Sequence, residues 1–452
     1  MAKLCSVGLD VGTTTTQLIV SELNVENKSG AFSVPELSIT DRKILYESPV
    51  HFTPLLDESH VDGHAIRKIV EKEYQKAGIT RQSVDTGAII ITGETSRKEN
   101  AGAVLEALSD LAGEFVVATA GPDLESVLAA RGAGALDYSA ETGKRVLHMD
   151  IGGGTSNLAL IEDGKIIRTG CLNVGGRLIK LENGNVIYIS PVLAGLTDLQ
   201  VGSKPKSGQI EALARVLASA LEMAAGLREK TALLKQLWTQ ELIGPMWASV
   251  PTGTVISFSG GVADCIETQH PSTAFGDMGP ALGKAIRESR LCQGAYILGR
   301  HTIRATVIGA GCHSAQLSGS TVYHRNIRFP LKNLPVIALK EADPQELRRN
   351  YAAQDTTAVL ALPGFPGADY GQICGLADTI VQCVPPGPVY VATRFDMAKA
   401  LGQALALRLG ADRPVLCLDR LALEDGSFLD VGYPIGPALP VVIKTLILAN
   451  HS

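Results

Sequence analysis

Two segments of the chain repeat one pattern: an apolar strand, an aspartate, a glycine turn rich in hydroxyl side chains, and a second strand. Residues 8–16 read GLDVGTTTT, and residues 148–158 read HMDIGGGTSNL. A strand that turns back at once on itself predicts a β-hairpin within a sheet. Because the same unit occurs twice, the sequence predicts two related α/β lobes.

The first turn has the composition of a polyphosphate-binding loop. Gly12 allows the backbone to come close to phosphate groups, and Asp10 can hold a hydrated Mg²⁺ ion. Backbone N–H groups and threonine hydroxyls can donate hydrogen bonds to the phosphates. The threonines concerned are Thr13, Thr14 and Thr15. Taken alone, this motif fits an ordinary threonine-rich hairpin equally well.

The second turn strengthens the interpretation because it repeats the same chemistry. Asp150 ends the strand, and Gly152, Gly153, Gly154 and Thr155 follow it. Three successive glycines cost much backbone entropy in a plain surface turn. Two facing turns could hold phosphates from opposite sides, while the two aspartates share one metal ion through its water shell.

A third glycine turn follows an apolar strand in residues 257–264, SFSGGVAD. Gly260 and Gly261 could pack flat against an adenine and its ribose. This signal is weak alone, because strands followed by paired glycines are common in α/β sheets. Residues 307–311, VIGAG, look similar, and we interpret them as another strand end followed by a turn.

In their order along the chain, these turns resemble the phosphate and adenosine motifs of the superfamily of actin, hexokinase, sugar kinases and heat-shock chaperone ATPases. Residues 121–134 and 275–283 resemble the two connecting segments at which the lobes of that superfamily hinge. The resemblance implies ATP and Mg²⁺ as cofactors, with Asp10 and Asp150 near the metal. It also implies that Glu125 orients the attacking water. A helix-capping glutamate explains Glu125 equally well.

The implied fold is α/β, with two actin-like (ribonuclease H-like) ATPase lobes around a nucleotide cleft and an additional C-terminal α/β region. We expect the first lobe at residues 1–140 and the second, with the adenosine turn, at 141–292. The C-terminal region, 293–452, is expected either to bind a partner or simply to stabilise the protein.

Within that superfamily, the chain most resembles the ethanolamine ammonia-lyase reactivating factors. The resemblance rests on the two phosphate turns and on residues 92–101 and 305–322, TGETSRKENA and ATVIGAGCHSAQLSGSTV. It implies a chaperone-like ATPase that releases damaged cobalamin from ethanolamine ammonia-lyase, so that intact adenosylcobalamin can bind. The lyase, with its cobalamin, is the implied protein partner, and a homodimer is left open.

Other classes use the same nucleotide cleft. A small-molecule kinase, acting on a sugar or polyol, would add a catalytic aspartate that faces a substrate hydroxyl, and an actin-like filament protein would assemble with nucleotide. Activator ATPases that hold an iron–sulfur cluster need paired cysteines, and the eight cysteines of this chain are scattered. We therefore discard the activator hypothesis and keep the kinase as the main alternative.

Bulk composition argues against several partners. The formal net charge is -5, without long charged runs, so we expect no nucleic acid and no anionic membrane surface as a ligand. We find no apolar run of the roughly 18 to 20 residues that a membrane span requires. Scattered cysteines and a start without a signal-peptide pattern predict a cytoplasmic protein, and association with a bacterial microcompartment is left open.

Overall fold

The computed structural model describes most of the chain, in blocks separated by gaps. The blocks are 2–12, 15–27, 37–57, 60–92, 104, 108, 116–119, 122–239, 250–313, 315–317, 321–339, 343–352, 358–421, 423, 427–434 and 439–445.

The first lobe is built on one mixed sheet. Its strands are β1 (Ala2–Val11), β2 (Thr15–Asn27), β3 (Leu37–Glu47), β4 (His51–Phe52), β5 (Thr86–Ile91) and β6 (Val116–Thr119). The order is β3-β2-β1-β5-β6, with β4 paired to β2. The first three strands are antiparallel, and β5 and β6 run parallel to β1. Helix α1 (Gly63–Ala77) follows Asp62, whose carboxylate caps it by accepting from the Ala65 N–H.

The second lobe repeats this topology. Its strands are β7 (Val146–Ile151), β8 (Ser156–Glu162), β9 (Lys165–Leu172), β10 (Ile179–Glu182), β11 (Asn185–Ile189), β12 (Val255–Ser259) and β13 (Tyr296–Leu298). The sheet order is β13-β12-β7-β8-β9, while β10 and β11 form a separate hairpin. Again the first three strands are antiparallel and the last two run parallel to the first. The shared order confirms the predicted pair of ribonuclease H-like lobes.

Two helices that the sequence analysis places in the first lobe pack against the sheet of the second lobe. They are α2 (Pro122–Gly132) and α3 (Ala135–Thr142), which both begin within the expected first lobe, 1–140, but pack against strands β7, β8 and β9 of the second sheet. Ala130 and Ala135 share a buried cluster with Val146 and Ala159. The boundary at 140 therefore falls too late, because the chain has already crossed to the second sheet.

The second lobe also contains helices α4 (Gln209–Ala224), α5 (Ala232–Leu237), α6 (Asp264–Glu267) and α7 (Gly279–Glu288). The chain breaks between α4 and α5 at Gly226, which has φ of +71° in the left-handed region that favours glycine. Leu213, Leu217 and Leu221 of α4 are buried in the hydrophobic core of the second lobe.

Helix α8 (Ala305–His313) corrects two further expectations. The chain returns to the first lobe here, because α8 packs against β1, β2 and β5 and also against α2. The boundary at 292 is therefore too early. Residues 307–311 lie inside this helix, so their interpretation as a strand end and turn was wrong. The apolar side chains of Val307 and Ile308 are buried against the first lobe with Ile19.

The second connecting segment between the lobes is helix α8, and the assignment of residues 275–283 to that role was wrong. Helix α7, which begins in that segment, packs against α4 and α6 within the second lobe. The pair α2 and α8 lies between the two sheets, with α2 on the second sheet and α8 on the first. The sequence misled us because both segments join small residues to a helix.

The C-terminal region is a further α/β unit, as expected. Its strands are β14 (Ala315–Leu317), β15 (Tyr323–Arg325), β16 (Leu331–Ala338), β17 (Val359–Leu362), β18 (Val389–Thr393), β19 (Val415–Leu418), β20 (Ser427–Val431) and β21 (Pro440–Thr445). They form one sheet in the order β14-β21-β20-β16-β17-β18-β19-β15. Its helices are α9 (Pro344–Ala352), α10 (Tyr370–Cys383) and α11 (Ala398–Leu409).

Short 3₁₀ helices occur at Arg81–Ser83, Pro191–Leu193 and Arg290–Cys292. Of the helices in the described blocks, none combines the length and the apolar character needed to cross a membrane.

Candidate functional site

A cleft of about 610 Å³ opens between the two lobes, a volume in the usual range for a small-molecule site. It brings together every site residue predicted from the sequence that the structure describes. These are Asp10, Gly12, Thr15, Glu125, Asp150, Gly152, Gly153, Gly154, Thr155, Gly260 and Gly261. Thr13 and Thr14 lie outside the described residues.

The first glycine turn is closed by backbone hydrogen bonding. The Gly12 N–H donates to the Thr15 carbonyl oxygen at 2.9 Å. The Thr53 hydroxyl donates to the Gly12 carbonyl oxygen at 2.8 Å and holds the turn from the side. Asp10, at the end of β1, accepts a hydrogen bond from the Thr92 hydroxyl at 2.8 Å. The first aspartate is therefore held in place by the end of the neighbouring strand β5.

The second turn has the same backbone geometry. The Gly152 N–H donates to the Thr155 carbonyl oxygen at 2.9 Å, as Gly12 does to Thr15. A third loop lies directly on this turn: Gly176 donates to the Gly152 carbonyl oxygen at 2.9 Å, and Arg177 donates to that of Gly153 at 2.7 Å. The two turns are thus equivalent structures, one on each side of the cleft.

Asp150 is buried, at 5% exposed, beneath the second turn. Its Oδ1 accepts a hydrogen bond from the Ser259 hydroxyl, and its Oδ2 lies 3.5 Å from that of Thr306. Ser259 also lies 2.9 Å from Nε2 of His148, whose Nδ1 lies 3.0 Å from the Ser257 hydroxyl. Since Ser259 donates its one proton to Asp150, it must accept from His148 Nε2–H.

Hydrogen bonding therefore runs in one direction, from Ser257 through His148 and Ser259 to Asp150. Burial lowers the pKa of His148 to about 3, so the imidazole is neutral and its two nitrogens have opposite roles. With Nε2 as the donor, Nδ1 must accept from the Ser257 hydroxyl. All of these side chains are buried, and each polar group has a partner.

The electrostatic environment of the two aspartates favours the binding of a cation. Burial raises the pKa of Asp10 to about 7, with the charge of Asp150 adding to the rise and the Thr92 hydrogen bond opposing it. Burial likewise raises the pKa of Asp150 to about 6, against the hydrogen bonds from Ser259 and Thr306. Carboxylate oxygens are the ligands that Mg²⁺ prefers, and a divalent cation would relieve this repulsion. The donor set fits a hydrated Mg²⁺ ion.

The third glycine turn packs against the second. Gly260 has φ of +86°, and a Cβ atom there would lie 2.3 Å from the Ile151 carbonyl oxygen. Its N–H donates to the Thr302 carbonyl oxygen at 2.9 Å, and the Val262 N–H to that of Ile151 at 3.2 Å. Position 260 therefore requires glycine, both for its backbone conformation and for this close approach.

Glu125 lies on the first part of α2, half-buried, and lines the cleft. Thr306 of α8 lines the same cleft. The two helices that cross between the lobes thus each contribute a side chain to the site.

Sequence reasoning missed several lining residues with polar side chains, among them Gln17, Thr92, Arg177, Asp277 and Thr306. One signal could have indicated Arg177, because paired glycines precede it in residues 173–177, NVGGR. A Cβ atom on Gly175 would lie 2.3 Å from the Gly153 carbonyl oxygen. Gly175 thus allows its backbone to come close to that of Gly153. The residues next to Gly175 in the sequence do not predict this contact.

Comparisons with known proteins agree over nearly the full chain. The model of the family described as ethanolamine utilisation protein EutA matches residues 2–449. The ethanolamine ammonia-lyase reactivase EutA of Salmonella typhimurium is 37% identical over 98% of each chain. The protein of the same name from Escherichia coli is 38% identical, also over 98% of each.

Two solved structures show weaker similarity. The Aquifex aeolicus PPX-GPPA enzyme is 12% identical, with a TM-score of 0.43 over 68% of this chain and 99% of its own. The ethanolamine utilization protein EutJ from Carboxydothermus hydrogenoformans is 20% identical, with a TM-score of 0.34 over 69% and 89%. Similarity this low does not bear on function. The match to the family model and the identity to full-length relatives do decide the family: this chain belongs to the ethanolamine utilisation protein EutA family.

Proposed function

We propose that this protein is a chaperone-like ATPase that reactivates ethanolamine ammonia-lyase by releasing damaged cobalamin, so that intact adenosylcobalamin can bind. One observation carries the ATPase part of the proposal: two equivalent glycine turns, each preceded by an aspartate, face one cleft. The names of the relatives support the choice of the lyase as the partner.

In this proposal the two turns bind the phosphates of ATP. The backbone N–H groups around Gly12 and Gly153 and the hydroxyls of Thr13, Thr14, Thr15 and Thr155 donate hydrogen bonds to them. Asp10 and Asp150 hold a hydrated Mg²⁺, which when bound neutralises phosphate charge. Gly260 and Gly261 leave a flat backbone surface for the adenosine.

Glu125 is the proposed residue that orients the attacking water by accepting its hydrogen bond. Its place in the cleft wall supports that role. The same residue lies near the beginning of α2, where a glutamate also favours the helix dipole.

Nucleotide can drive release only if the ATP-bound and ADP-bound forms differ in affinity for the damaged holoenzyme. The pair α2 and α8 connects the two sheets and reaches the cleft through Glu125 and Thr306, so it is the proposed route by which nucleotide moves the lobes. We propose that the C-terminal α/β region contacts the lyase and that the protein works in the cytoplasm.

The test is the recovery of cyanocobalamin-inactivated ethanolamine ammonia-lyase. The inactive enzyme is mixed with this protein, adenosylcobalamin and Mg²⁺, with and without ATP, and the lyase activity is followed. We expect recovery only with ATP, and none with the Asp10→Ala variant. ATP hydrolysis without recovery of lyase activity would contradict the reactivase proposal and favour a small-molecule kinase. The formation of a phosphate ester would identify such a kinase.

A further inference from the structure

The charges that line the cleft are mostly negative. The described lining residues include five carboxylates: Asp10, Glu125, Asp150, Asp264 and Asp277. Among the same residues, Arg177 is the one arginine, and there is no lysine. A polyphosphate needs positive charge close by, and a guanidinium can bind a phosphate through two parallel hydrogen bonds. Arg177 is therefore the side chain in this wall best suited to a phosphate group.

Arg177 is attached to the second glycine turn. Its backbone N–H donates to the Gly153 carbonyl oxygen at 2.7 Å, and that of Gly176 donates to Gly152 at 2.9 Å. A Cβ atom on Gly175 or Gly176 would lie 2.3 Å or 2.9 Å from the nearest backbone atom. The loop thus lies in backbone contact with its surroundings, and any shift of the second turn carries Arg177 with it.

Phe52 is attached in the same way to the first glycine turn. In the ladder between β2 and β4, Phe52 is the partner of Thr15, which closes that turn. The next residue, Thr53, donates its hydroxyl proton to the Gly12 carbonyl oxygen at 2.8 Å. Any shift of the first turn therefore carries Phe52 with it.

These two side chains, one from each lobe, are in contact beside the cleft. The Arg177 guanidinium carbon lies 5.5 Å from the centroid of the Phe52 ring, within range of a cation–π contact. The Phe52 residue is 73% exposed, so this contact is at the rim. Nε of Arg177 donates to Oδ2 of Asp277 at 3.1 Å. Within the described blocks its two terminal nitrogens donate no hydrogen bond, which leaves them for a ligand.

We propose that Arg177 binds the terminal phosphate of the nucleotide, and that its contact with Phe52 makes the separation of the two glycine turns depend on that phosphate. This inference rests on the proposed ATPase function. ATP and ADP then differ in how firmly they hold the two sides of the cleft together, which is the differential affinity that nucleotide-driven release needs. Arg177 is a binding residue, and Phe52 positions it.

The first experiment measures the dissociation constants of Mg²⁺ with the non-hydrolysable ATP analogue AMP-PNP, and of Mg²⁺ with ADP, by calorimetry. Arg177→Ala should weaken AMP-PNP binding on the order of 10- to 100-fold, the usual loss for a hydrogen-bonded charge. ADP binding should change less than about threefold. Arg177→Lys keeps the charge without the planar fork and should fall between Arg177→Ala and the wild type.

Arg287→Ala is the matched control. Arg287 lies 5.5 Å above the Tyr296 ring and 3.9 Å from a Glu267 oxygen, so it has the same kinds of partners in the same lobe. It does not line the cleft. This variant should bind both nucleotides like the wild type, and thermal melting checks that all variants are folded.

The second experiment tests the contact itself. Phe52→Leu should weaken AMP-PNP binding about two- to fivefold in the wild-type background and have no effect in Arg177→Ala, because the contact is already lost there. Equal effects in the two backgrounds, or equal losses of AMP-PNP and ADP in Arg177→Ala, would overturn the inference alone. A wild-type protein that binds neither nucleotide would overturn the proposed function and the inference with it.

Discussion

Gly132 faces the backbone of Ala305 at a point where no side chain fits. A Cβ atom at position 132 would lie 1.9 Å from the Ala305 carbonyl oxygen. The same crossing excludes a side chain at Gly309, where a Cβ atom would lie 2.0 Å from the Leu128 carbonyl oxygen. Helices α2 and α8 therefore touch through their backbones. Both helices reach the cleft, so this crossing joins the proposed nucleotide site to both lobes.

Replacement of Gly309 by alanine should destabilise the protein by about 2 kcal/mol or more, because the added methyl group meets backbone that cannot move aside. The measurement is urea unfolding. Gly375→Ala is the control, since that glycine lies in α10 and a Cβ atom added there would have no atom within 4 Å apart from its chain neighbours and the backbone of its own helix. It should be neutral or stabilising by up to about 1 kcal/mol. Equal effects would contradict the backbone crossing.

Removal of either buried aspartate should abolish Mg²⁺-dependent ATP hydrolysis. Asp10→Ala and Asp150→Ala each take away one of the two carboxylates proposed to hold the metal, and a loss of at least about 100-fold is expected. Phosphate release measures it, and circular dichroism checks the fold. Asp41→Ala removes an exposed carboxylate on β3 and should hydrolyse like the wild type. Full activity in both cleft variants would exclude the aspartates from the mechanism.

The free energy of unfolding of the ligand-free protein should carry a pH dependence from Asp10. Burial raises its pKa from 3.8 to about 7, so the folded protein keeps a proton that the unfolded chain has lost. The contribution of the Asp10 carboxyl to the free energy of unfolding is complete below about pH 4 and is lost as the pH rises through about 7.

Asp10→Asn removes the titrating carboxyl group and therefore removes this loss of stability at rising pH. The variant should therefore gain stability over the wild type progressively as the pH rises from about 4 to about 7, by about 1.4 kcal/mol for each unit of pKa shift, and the difference should stay constant at higher pH. Urea unfolding at several pH values measures the difference. Parallel curves for the two proteins would show that the carboxyl of Asp10 titrates in its ordinary range.

Ser259→Ala should affect both stability and pH dependence. It leaves Nε2 of buried His148 without its acceptor, which costs about 1–3 kcal/mol. It also removes the hydrogen bond that lowers the pKa of Asp150, so the acidic limb of the pH–rate profile should move to higher pH. Ser219→Ala, at a half-buried position of α4 where the hydroxyl donates only to the Val216 carbonyl oxygen of its own helix, should change stability by no more than about 0.5 kcal/mol. An unmoved profile would contradict the link from Ser259 to Asp150.

The parts of the site that follow from local sequence were predictable, and those that depend on packing between distant segments were not. Asp10 and Asp150 each come directly before a glycine turn, and the turn itself places them at the cleft. Arg177 reaches the cleft only because its loop lies on the turn at Gly153. Ser259 carried a signal as part of the third turn, but its bond to Asp150 depends on the pairing of β12 with β7.

The fold shows the same division. The paired strands β1–β2 and β7–β8 follow from the repeated hairpin motif, while the places where the chain changes lobes do not. Residues 307–311 have the apolar character of a strand end, and their glycines imitate a turn. In the structure Gly309 serves the crossing with α2, and Gly311 serves the close packing of α8 on β1, where a Cβ atom would lie 2.9 Å from the backbone nitrogen of Gly8. A contact between residues so far apart leaves no local pattern.

The return of the chain through α8 has a consequence for biosynthesis. The elements of the second lobe, from α2 to β13, are contiguous in the chain. Helix α8, which packs against the first sheet, comes only after that whole stretch. On a ribosome, which releases the chain from its N-terminus, the second lobe can complete its core while β1 still lacks its helix. The first lobe to be synthesised is therefore the last of the two to be finished.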